Sequence, residues 1–160
     1  MAISEEGNGS EKAQHKARAW GLINKINTLR KDYALLTEQE KKIVQLIVVE
    51  ENTANCISRA KEQSIAIEDL GKDASVDIPG YSELTDFSVF REDYLNNVRI
   101  ASEGFIESAK ETCKLIDNLK GEVAGDIYNC KAQLGNIYSY YHGDSYFADV
   151  PFADYLELGL

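Results

Sequence analysis

The second half of the chain carries one long apolar stripe, which constrains the fold more than any other feature. Between Phe87 and Tyr141, apolar residues follow one another at steps of mostly three or four. The stripe consists of Tyr94, Val98, Ala101, Phe105, Ala109, Ile116, Leu119, Val123, Ile127, Cys130, Leu134, Ile137 and Tyr141. Steps averaging near 3.5 residues keep one side of a helix against a partner over many turns, as in a coiled coil. We therefore predict a long helix that packs on another helix of the same chain, on a second copy or on another protein.

The first half of the chain predicts another long helix with the same spacing. We expect residues 1–10 to form a flexible leader, with Ser10 capping a helix that runs over residues 11–71 and ends at Gly71. Thr37 begins a Thr-Glu-Gln-Glu sequence that is typical of a helix start, but no glycine or proline lies close to it. A continuous helix, kinked near Thr37, is our prediction, with a short break there as the alternative.

The two predicted helices have similar lengths, which indicates that each covers the other. A loop over 72–84 and a second helix over 85–141 complete an all-α fold, a long antiparallel hairpin of coiled-coil type. Gly121 and Gly125 weaken the second helix, and they allow a bend or a close crossing by another helix. A fold-back at these glycines would give a bundle of three or four helices instead. An acidic, aromatic tail over 142–160 follows the hairpin.

The charge of the chain excludes one broad class of function. Its formal net charge is −10, whereas nucleic-acid phosphates are bound by clustered lysine and arginine. We expect no nucleic-acid partner. An acidic decoy that occupies the nucleic-acid site of another protein is an alternative function that the charge suggests.

The N-terminal residues and the cysteines help to predict the cellular compartment of the protein. The first ten residues lack the basic start and apolar core of a signal peptide, and no stretch is apolar enough to enter a membrane. Cys56, Cys113 and Cys130 have no disulfide spacing, so we predict three free thiols, buried as small apolar side chains. We expect a soluble cytoplasmic protein, or one exported without a cleaved signal.

A run of apolar residues in the first helix predicts a contact surface. Six of the seven residues from Ile43 to Val49 are apolar, and a two-helix hairpin hides only a narrow stripe. Exposed apolar patches usually mark contact sites. We expect an interface with another subunit here, formed by Ile43, Val44, Leu46, Ile47 and Val48. A monomer in which additional helices bury the first arm is the alternative.

The tail is a second candidate contact. Acids alternate with aromatic and aliphatic residues, and the candidate contacts are Tyr146, Phe147, Phe152, Tyr155 and Leu158. Phe147-Ala-Asp-Val150 and Tyr155-Leu-Glu-Leu158 resemble the linear motifs that ubiquitin-like autophagy modifiers recognise. The second motif is also similar to tyrosine-based sorting signals. Each resemblance implies a tail that is free to bind a protein partner.

The alternative for the tail is docking within the chain. Residues 143–160 hold four acids and no basic residue, whereas residues 11–36 hold six basic residues against two acids. An antiparallel hairpin places these two segments at the same end. Trp20 and Tyr33 are the expected apolar partners of the docked tail.

A third feature lies where the second helix ends. Tyr140 is followed four residues later by Asp144, just after the predicted hairpin. This pair resembles the export signal of small substrates of type VII secretion systems, which implies a secreted helical hairpin or a partner of one. The predicted loop lacks the Trp-x-Gly turn of that family, although partner proteins within it can lack the turn too.

No catalytic constellation is present in the sequence. His15 and His142 are the only histidines, and no cysteine or histidine pair has the spacing of a zinc site. There is no glycine-rich phosphate loop and no nucleophile elbow. We therefore expect no cofactor and no metal. The predicted function is a non-enzymatic interaction or assembly subunit, homo- or hetero-oligomeric, that acts through helix packing and its tail.

Overall fold

The computed structural model of the chain is built from two long helices. It describes residues 5–73, 81–157 and 159, and the side chains of residues 9–63, 65–66, 91–157 and 159. Helix α1 spans Glu5–Asp73 and α2 spans Tyr81–Tyr140. A 3-10 helix over Ser145–Phe147 and a short α3 over Phe152–Leu156 follow. The described residues form helices and turns without a strand, which confirms the all-α class.

Both long helices are longer than the sequence suggested. Helix α1 begins at Glu5, so Ser10 lies inside the helix and does not cap it. Acidic residues in a first turn favour a helix start, and Glu5 and Glu6 supply them. The helix also passes Gly71, and α2 begins at Tyr81 instead of near residue 85. The expected loop thus shrinks at both ends, and residues 74–80 lie outside the described residues.

Neither long helix is interrupted at the expected weak points. The hydroxyl of Thr37 donates to the backbone carbonyl of Tyr33 at 2.9 Å, as a threonine does inside a helix, so the alternative of a break there is wrong. Helix α2 runs through Gly121 and Gly125, and no atom lies within 4 Å of a Cβ built at either. The fold-back and the close crossing at these glycines are therefore wrong as well.

The chain divides into two compact units, and each contains a segment of both long helices. Unit 1 comprises Met1–Gln39 and Ile116–Leu160, and unit 2 comprises Glu40–Leu115. In unit 1 the Arg18 guanidinium donates to the Gln133 side chain, and the Lys120 ammonium lies over the Tyr33 ring. From the first contact to the second, the residue number rises along α1, from 18 to 33, and falls along α2, from 133 to 120. The two segments are therefore antiparallel.

The helices of unit 2 also run antiparallel. Lys110 pairs with Glu51 at 3.1 Å, and Lys61 pairs with Glu92 at 3.3 Å. Two long helices thus pack against each other within both units.

Most of the shielded side chains of α1 follow a regular spacing, and Lys16, Ile23, Asn27 and Arg30 are shielded beside it. Steps of three and four alternate without exception along a row of buried and half-buried residues: Lys12, His15, Ala19, Leu22, Ile26, Leu29, Tyr33, Leu36, Glu40, Ile43, Ile47, Glu50, Ala54, Ile57 and Lys61. The same alternation holds on α2 and the residue after it: Ile106, Ala109, Cys113, Ile116, Lys120, Val123, Ile127, Cys130, Leu134, Ile137 and Tyr141.

The apolar stripe predicted on the second helix is therefore correct only in part. Its later members are shielded, but Tyr94, Phe105 and Leu119 are 61%, 46% and 47% exposed. Ile106, which follows Phe105, and Lys120, which follows Leu119, occupy the packed row instead. The apolar surface of α2 is wider than the stripe that one antiparallel partner covers, so some of the predicted stripe remains outside the contact.

Candidate interaction surfaces

Unit 1 has a true hydrophobic core, and the C-terminal tail is part of it. Phe147 is 3% exposed and Phe152 is 6% exposed. The core consists of Ala19, Ile23, Ile26, Ile127, Cys130, Leu134, Ile137, Tyr141, Phe147, Val150 and Phe152. Tyr141 and Phe147 stack with ring centroids 4.4 Å apart. The tail thus forms a third layer over the two antiparallel helices of this unit.

The turn that begins the tail is set by two residues. Gly143, three residues after the end of α2, adopts a φ of 81°, a left-handed conformation that side-chain-bearing residues rarely adopt. The Asp144 carboxylate then accepts from the backbone N–H of Tyr146 at 3.0 Å and caps the 3-10 helix. These two local features direct the chain back onto unit 1.

Two lysines of α1 bind the beginning of the tail. Lys12 pairs with Asp144 at 2.7 Å and Lys16 pairs with Asp149 at 2.6 Å. Lys16 also donates to the Tyr146 carbonyl at 2.9 Å, and its ammonium lies 4.8 Å from the centre of the Tyr146 ring. These are the complementary charges that the sequence placed at one end of the hairpin.

The pKa values of the paired groups shift in the direction that docking requires. The hydrogen bond from Lys12, and after it the Tyr146 N–H, lower the pKa of Asp144. The hydrogen bond from Lys16 lowers the pKa of Asp149. The bond to Asp144 raises the pKa of Lys12. Each shift favours the charged form that the docked tail uses.

The end of the tail is held by α1 and α2 together. Asn27 Nδ2 donates to the Tyr155 hydroxyl at 2.9 Å, and Arg30 donates to the Gly159 carbonyl at 2.6 Å. On the α2 side, a Cβ built at Gly135 would lie 3.6 Å from the Leu156 side chain. Leu158, one of the predicted contact residues, lies outside the described residues.

Docking of the tail within the chain is therefore confirmed, although its apolar partners differ from those expected. Trp20 is 37% exposed, and Tyr33 faces Lys120, a residue of α2. The core that the tail joins contains Ala19, Ile23 and Ile26 of α1, and neither Trp20 nor Tyr33 belongs to it. Sequence reasoning favoured the large aromatics, whereas the α1 residues of this core are smaller and aliphatic.

The predicted linear motifs are not free segments in this structure. Phe147 and Val150 are both buried, and Tyr155 is half-buried. Tyr146 is the one predicted tail contact that is exposed among the described residues. In the Tyr140–Asp144 pair, Tyr140 is exposed, whereas Asp144 is paired with Lys12.

Unit 2 is built differently, because few of the side chains that the structure describes in it are fully buried. Among its described residues, Ile47, Ser102 and Ala109 are the buried ones. Of the five predicted contact residues on α1, Ile47 is buried, Ile43 is half-buried, and the others are exposed: Val44, Leu46 and Val48. Val49 is exposed as well, at 60%. Unit 2 is thus an antiparallel pair of helices whose large apolar side chains extend beyond the contact.

One side of unit 2 is charged. In an antiparallel helix pair, the residues directly C-terminal to the packed positions of both helices lie on the same side of the pair. Glu51 follows the packed Glu50 and Lys110 follows the packed Ala109, and their ion pair shows this arrangement directly. Val44 and Val48 lie on the same side of α1. We call this side the charged face, and its polar members are Glu51, Glu103, Glu107, Lys110 and Lys114, which line one open cleft.

The other side of unit 2 carries no charge between residues 46–60 of α1 and 101–115 of α2. Each of its residues directly precedes a packed position, and all are exposed. We call it the uncharged face; it comprises Leu46, Val49, Thr53, Cys56, Ala60, Ala101, Phe105, Ser108, Thr112 and Leu115. The Thr53 hydroxyl donates to the backbone carbonyl of Val49 at 3.0 Å, and the Thr112 hydroxyl donates to that of Ser108 at 2.9 Å. The polar groups of Thr53 and Thr112 are thus satisfied within the helix.

The cysteines occupy three different environments. Cys130 is buried, Cys113 is half-buried and Cys56 is exposed on the uncharged face, and all three are free thiols. The expectation that all three are buried is wrong for Cys56, because its position lies outside the packed row. The histidines contact aromatic rings: His15 lies 5.5 Å from Tyr141, and His142 lies 5.0 Å from Tyr138.

Searches for other kinds of site gave no candidate within the described part of the chain. No helix there is long and apolar enough to span a membrane. No group of three or more histidine, cysteine, aspartate or glutamate side chains there could hold a metal ion. In comparisons with known proteins, no family model, no curated protein and no solved structure matches this chain.

Proposed function

We propose that this chain is a non-enzymatic assembly subunit that binds other protein surfaces through the helix pair of unit 2. The observation that carries the proposal is the exposure of large apolar side chains in a unit in which three of the described residues, Ile47, Ser102 and Ala109, are buried. Leu46, Val49 and Leu115 are each more than half exposed. Contiguous apolar surface of this kind marks protein contact sites.

The packing of the long helices supports an assembly function of coiled-coil type. Steps that alternate between three and four along α1 are the spacing of heptad packing, in which one helix pair readily accepts further helices on its flanks. In the middle of the row, Glu40 and Glu50 occupy packed positions. Polar residues at such positions fix register and partner choice at a cost in stability.

Unit 1 supports the same proposal by contrast. Ile23 lies just after a packed position on α1, on the side that corresponds to the charged face of unit 2. Ile23 shares one core with Phe147, Val150 and Phe152 of the tail. In unit 1 the chain thus covers part of the apolar surface beside the packed row with its own third layer, although Leu35 and Leu119 are 55% and 47% exposed. Among the described residues of unit 2, Leu46, Val49 and Leu115 have no such layer over them and are exposed.

The tail has a supporting role in this proposal, which differs from the role expected from sequence. A partner that took Phe147 or Phe152 would first have to open the core of unit 1 and break the lysine–aspartate pairs. We assign the tail to stabilising unit 1, and recognition to unit 2.

The size of the native complex tests the proposal. The full-length protein is followed by antibody in extracts of its source cells, by size-exclusion chromatography with light scattering, with matched runs of a variant carrying Leu46→Ser, Val49→Ser, Phe105→Ser and Leu115→Ser. We expect the native chain to migrate as a complex and the variant as a monomer of unchanged helicity. A native chain that is monomeric in the extract would overturn the proposal.

A further inference from the structure

The uncharged face of unit 2 differs from the same side of the helices in unit 1. At the same heptad positions, unit 1 carries charges on both helices: Lys25, Asp32, Glu122 and Asp126. A solvated helix surface carries such charges routinely. None of the ten residues of the uncharged face is charged, in a chain of net charge −10, and this distinguishes the face from ordinary surface; Arg59 is next to it in sequence, before Ala60.

The two ends of this face carry side chains of complementary size. The Glu51–Lys110 and Lys61–Glu92 pairs show that the helices are antiparallel, so Leu46 and Leu115 lie toward one end of the face and Ala60 and Ala101 toward the other. One end is therefore bulky, with Leu46, Val49 and Leu115. The other end is small and consists of Cys56, Ala60 and Ala101, with Phe105 near the centre of the face.

From this profile we infer that the uncharged face binds a second copy of the chain, in a two-fold symmetric dimer. A rotation of 180° about an axis through the centre of the face sets the bulky end of one copy on the small end of the other, as isologous contacts require. The inference rests on the proposed function and names the partner of the same surface.

The size and the charge of the face both fit a second copy. From Leu46 to Ala60 the face is about 20 Å long, and two adjacent helices are about 20 Å wide, which gives a footprint of about 400 Å². A standard interface buries about 800 Å² per partner including its polar rim, so this footprint is that of an apolar interface core. Because the face has no charge, two acidic copies meet there without like charges in contact.

Neighbouring valines provide a matched test. Val48 is 52% exposed on the charged face and Val49 is 60% exposed on the uncharged face, so both tolerate lysine in the monomer. Each Val→Lys change also makes the net charge less negative, so a weaker dimer cannot result from added repulsion. Leu115→Lys places the same charge on the α2 side of the uncharged face.

The measurement is sedimentation equilibrium of the full chain and its variants from micromolar to millimolar concentration, with helicity and melting recorded for each. We expect a wild-type dimer that tightens with added salt, because salt screens the net negative charge. Val49→Lys and Leu115→Lys should weaken dimerisation by about 100-fold or more, since two unpaired charges enter the contact. Val48→Lys should change the dissociation constant by no more than about threefold, as a surface substitution away from the contact.

The outcomes separate this inference from the proposed function. If the pure protein is monomeric throughout but the native chain migrates as a complex, the second-copy inference is wrong and the assembly function stands. If both are monomeric, both are wrong. A wild-type dimer that Val48→Lys weakens as much as Val49→Lys does would also overturn the inference, because the contact would not be confined to the uncharged face.

Discussion

At the scale of the residue, a few polar groups decide how the apolar surfaces are arranged. Asp144 does two things at once, since it caps the 3-10 helix and pairs with Lys12. In unit 2, by contrast, the hydroxyl of Ser102 lies in the packed row without a hydrogen-bond partner among the described residues. Asp144 thus directs the tail onto unit 1, whereas Ser102 leaves an unsatisfied hydroxyl between the helices of unit 2.

Removing the buried hydroxyl should stabilise the protein. Ser102→Ala eliminates an unsatisfied polar group from a 3% exposed position and should raise the free energy of unfolding by about 1 kcal/mol. The matched control is Ser108→Ala on the same helix, which is exposed and should gain only a few tenths of a kcal/mol from helix propensity, about 0.4. Urea unfolding measures both, and equal gains would show that burial of the Ser102 hydroxyl costs nothing.

Acid should weaken the docking of the tail. The pKa values of Asp144 and Asp149 are lower in the folded chain, so their contribution is present above the pKa of the unfolded carboxyl groups. It is lost as the pH falls through the lowered folded values, below about pH 4. The raised pKa of Lys12 acts at the other extreme: its contribution is lost only as the pH rises through that raised value.

The melting temperature as a function of pH checks this assignment. Between neutral pH and pH 3, the double variant Asp144→Asn, Asp149→Asn should lose less stability than the wild-type chain. Asparagine keeps the capping oxygen at residue 144, so the helix cap is retained. Parallel curves for the two proteins would show that the lysine–aspartate pairs contribute nothing to docking.

At the scale of the element, the sequence predicted the long helices better than it predicted their surfaces. Apolar residues three and four apart were enough to predict both helices and their antiparallel pairing. The helix ends were missed by several residues, because Ser10 and Gly71 are common capping residues that also occur inside helices. Periodicity could not distinguish Phe105 from Ile106 as the packed residue, because both are apolar and only the three-dimensional contact selects one of them.

The tail should contribute strongly to the stability of unit 1. Phe147→Ala removes a ring that is 3% exposed and stacked on Tyr141, and the expected loss is about 3–5 kcal/mol. The neighbouring change Tyr146→Ala removes an exposed ring whose cation–π contact with Lys16 is worth about 1 kcal/mol or less. Chemical unfolding gives both values, and losses of similar size would contradict the assignment of Phe147 to the core.

At the scale of the whole molecule, the two units differ in how much of their apolar surface is buried. Unit 1 buries its aromatic tail residues, whereas unit 2 exposes Leu46, Val49 and Leu115. The interface that the sequence indicates in the 43–49 segment stays a prediction, and the structure places Leu46 and Val48 on different sides of α1. That distinction depends on register between α1 and α2, which no single-helix pattern contains. The central claim is that association covers the uncharged face.

The alkylation rate of Cys56 tests this claim most directly, because Cys56 is the exposed thiol and lies on the uncharged face. Site-resolved mass spectrometry follows the reaction from micromolar to millimolar protein. The control is a variant with Asn55→Cys and Cys56→Ser, which moves the thiol by one residue to the side of the charged face. We predict that alkylation of Cys56 slows as the concentration rises while alkylation at residue 55 does not. A Cys56 rate that is independent of concentration, or an equal slowing at both positions, would contradict the account.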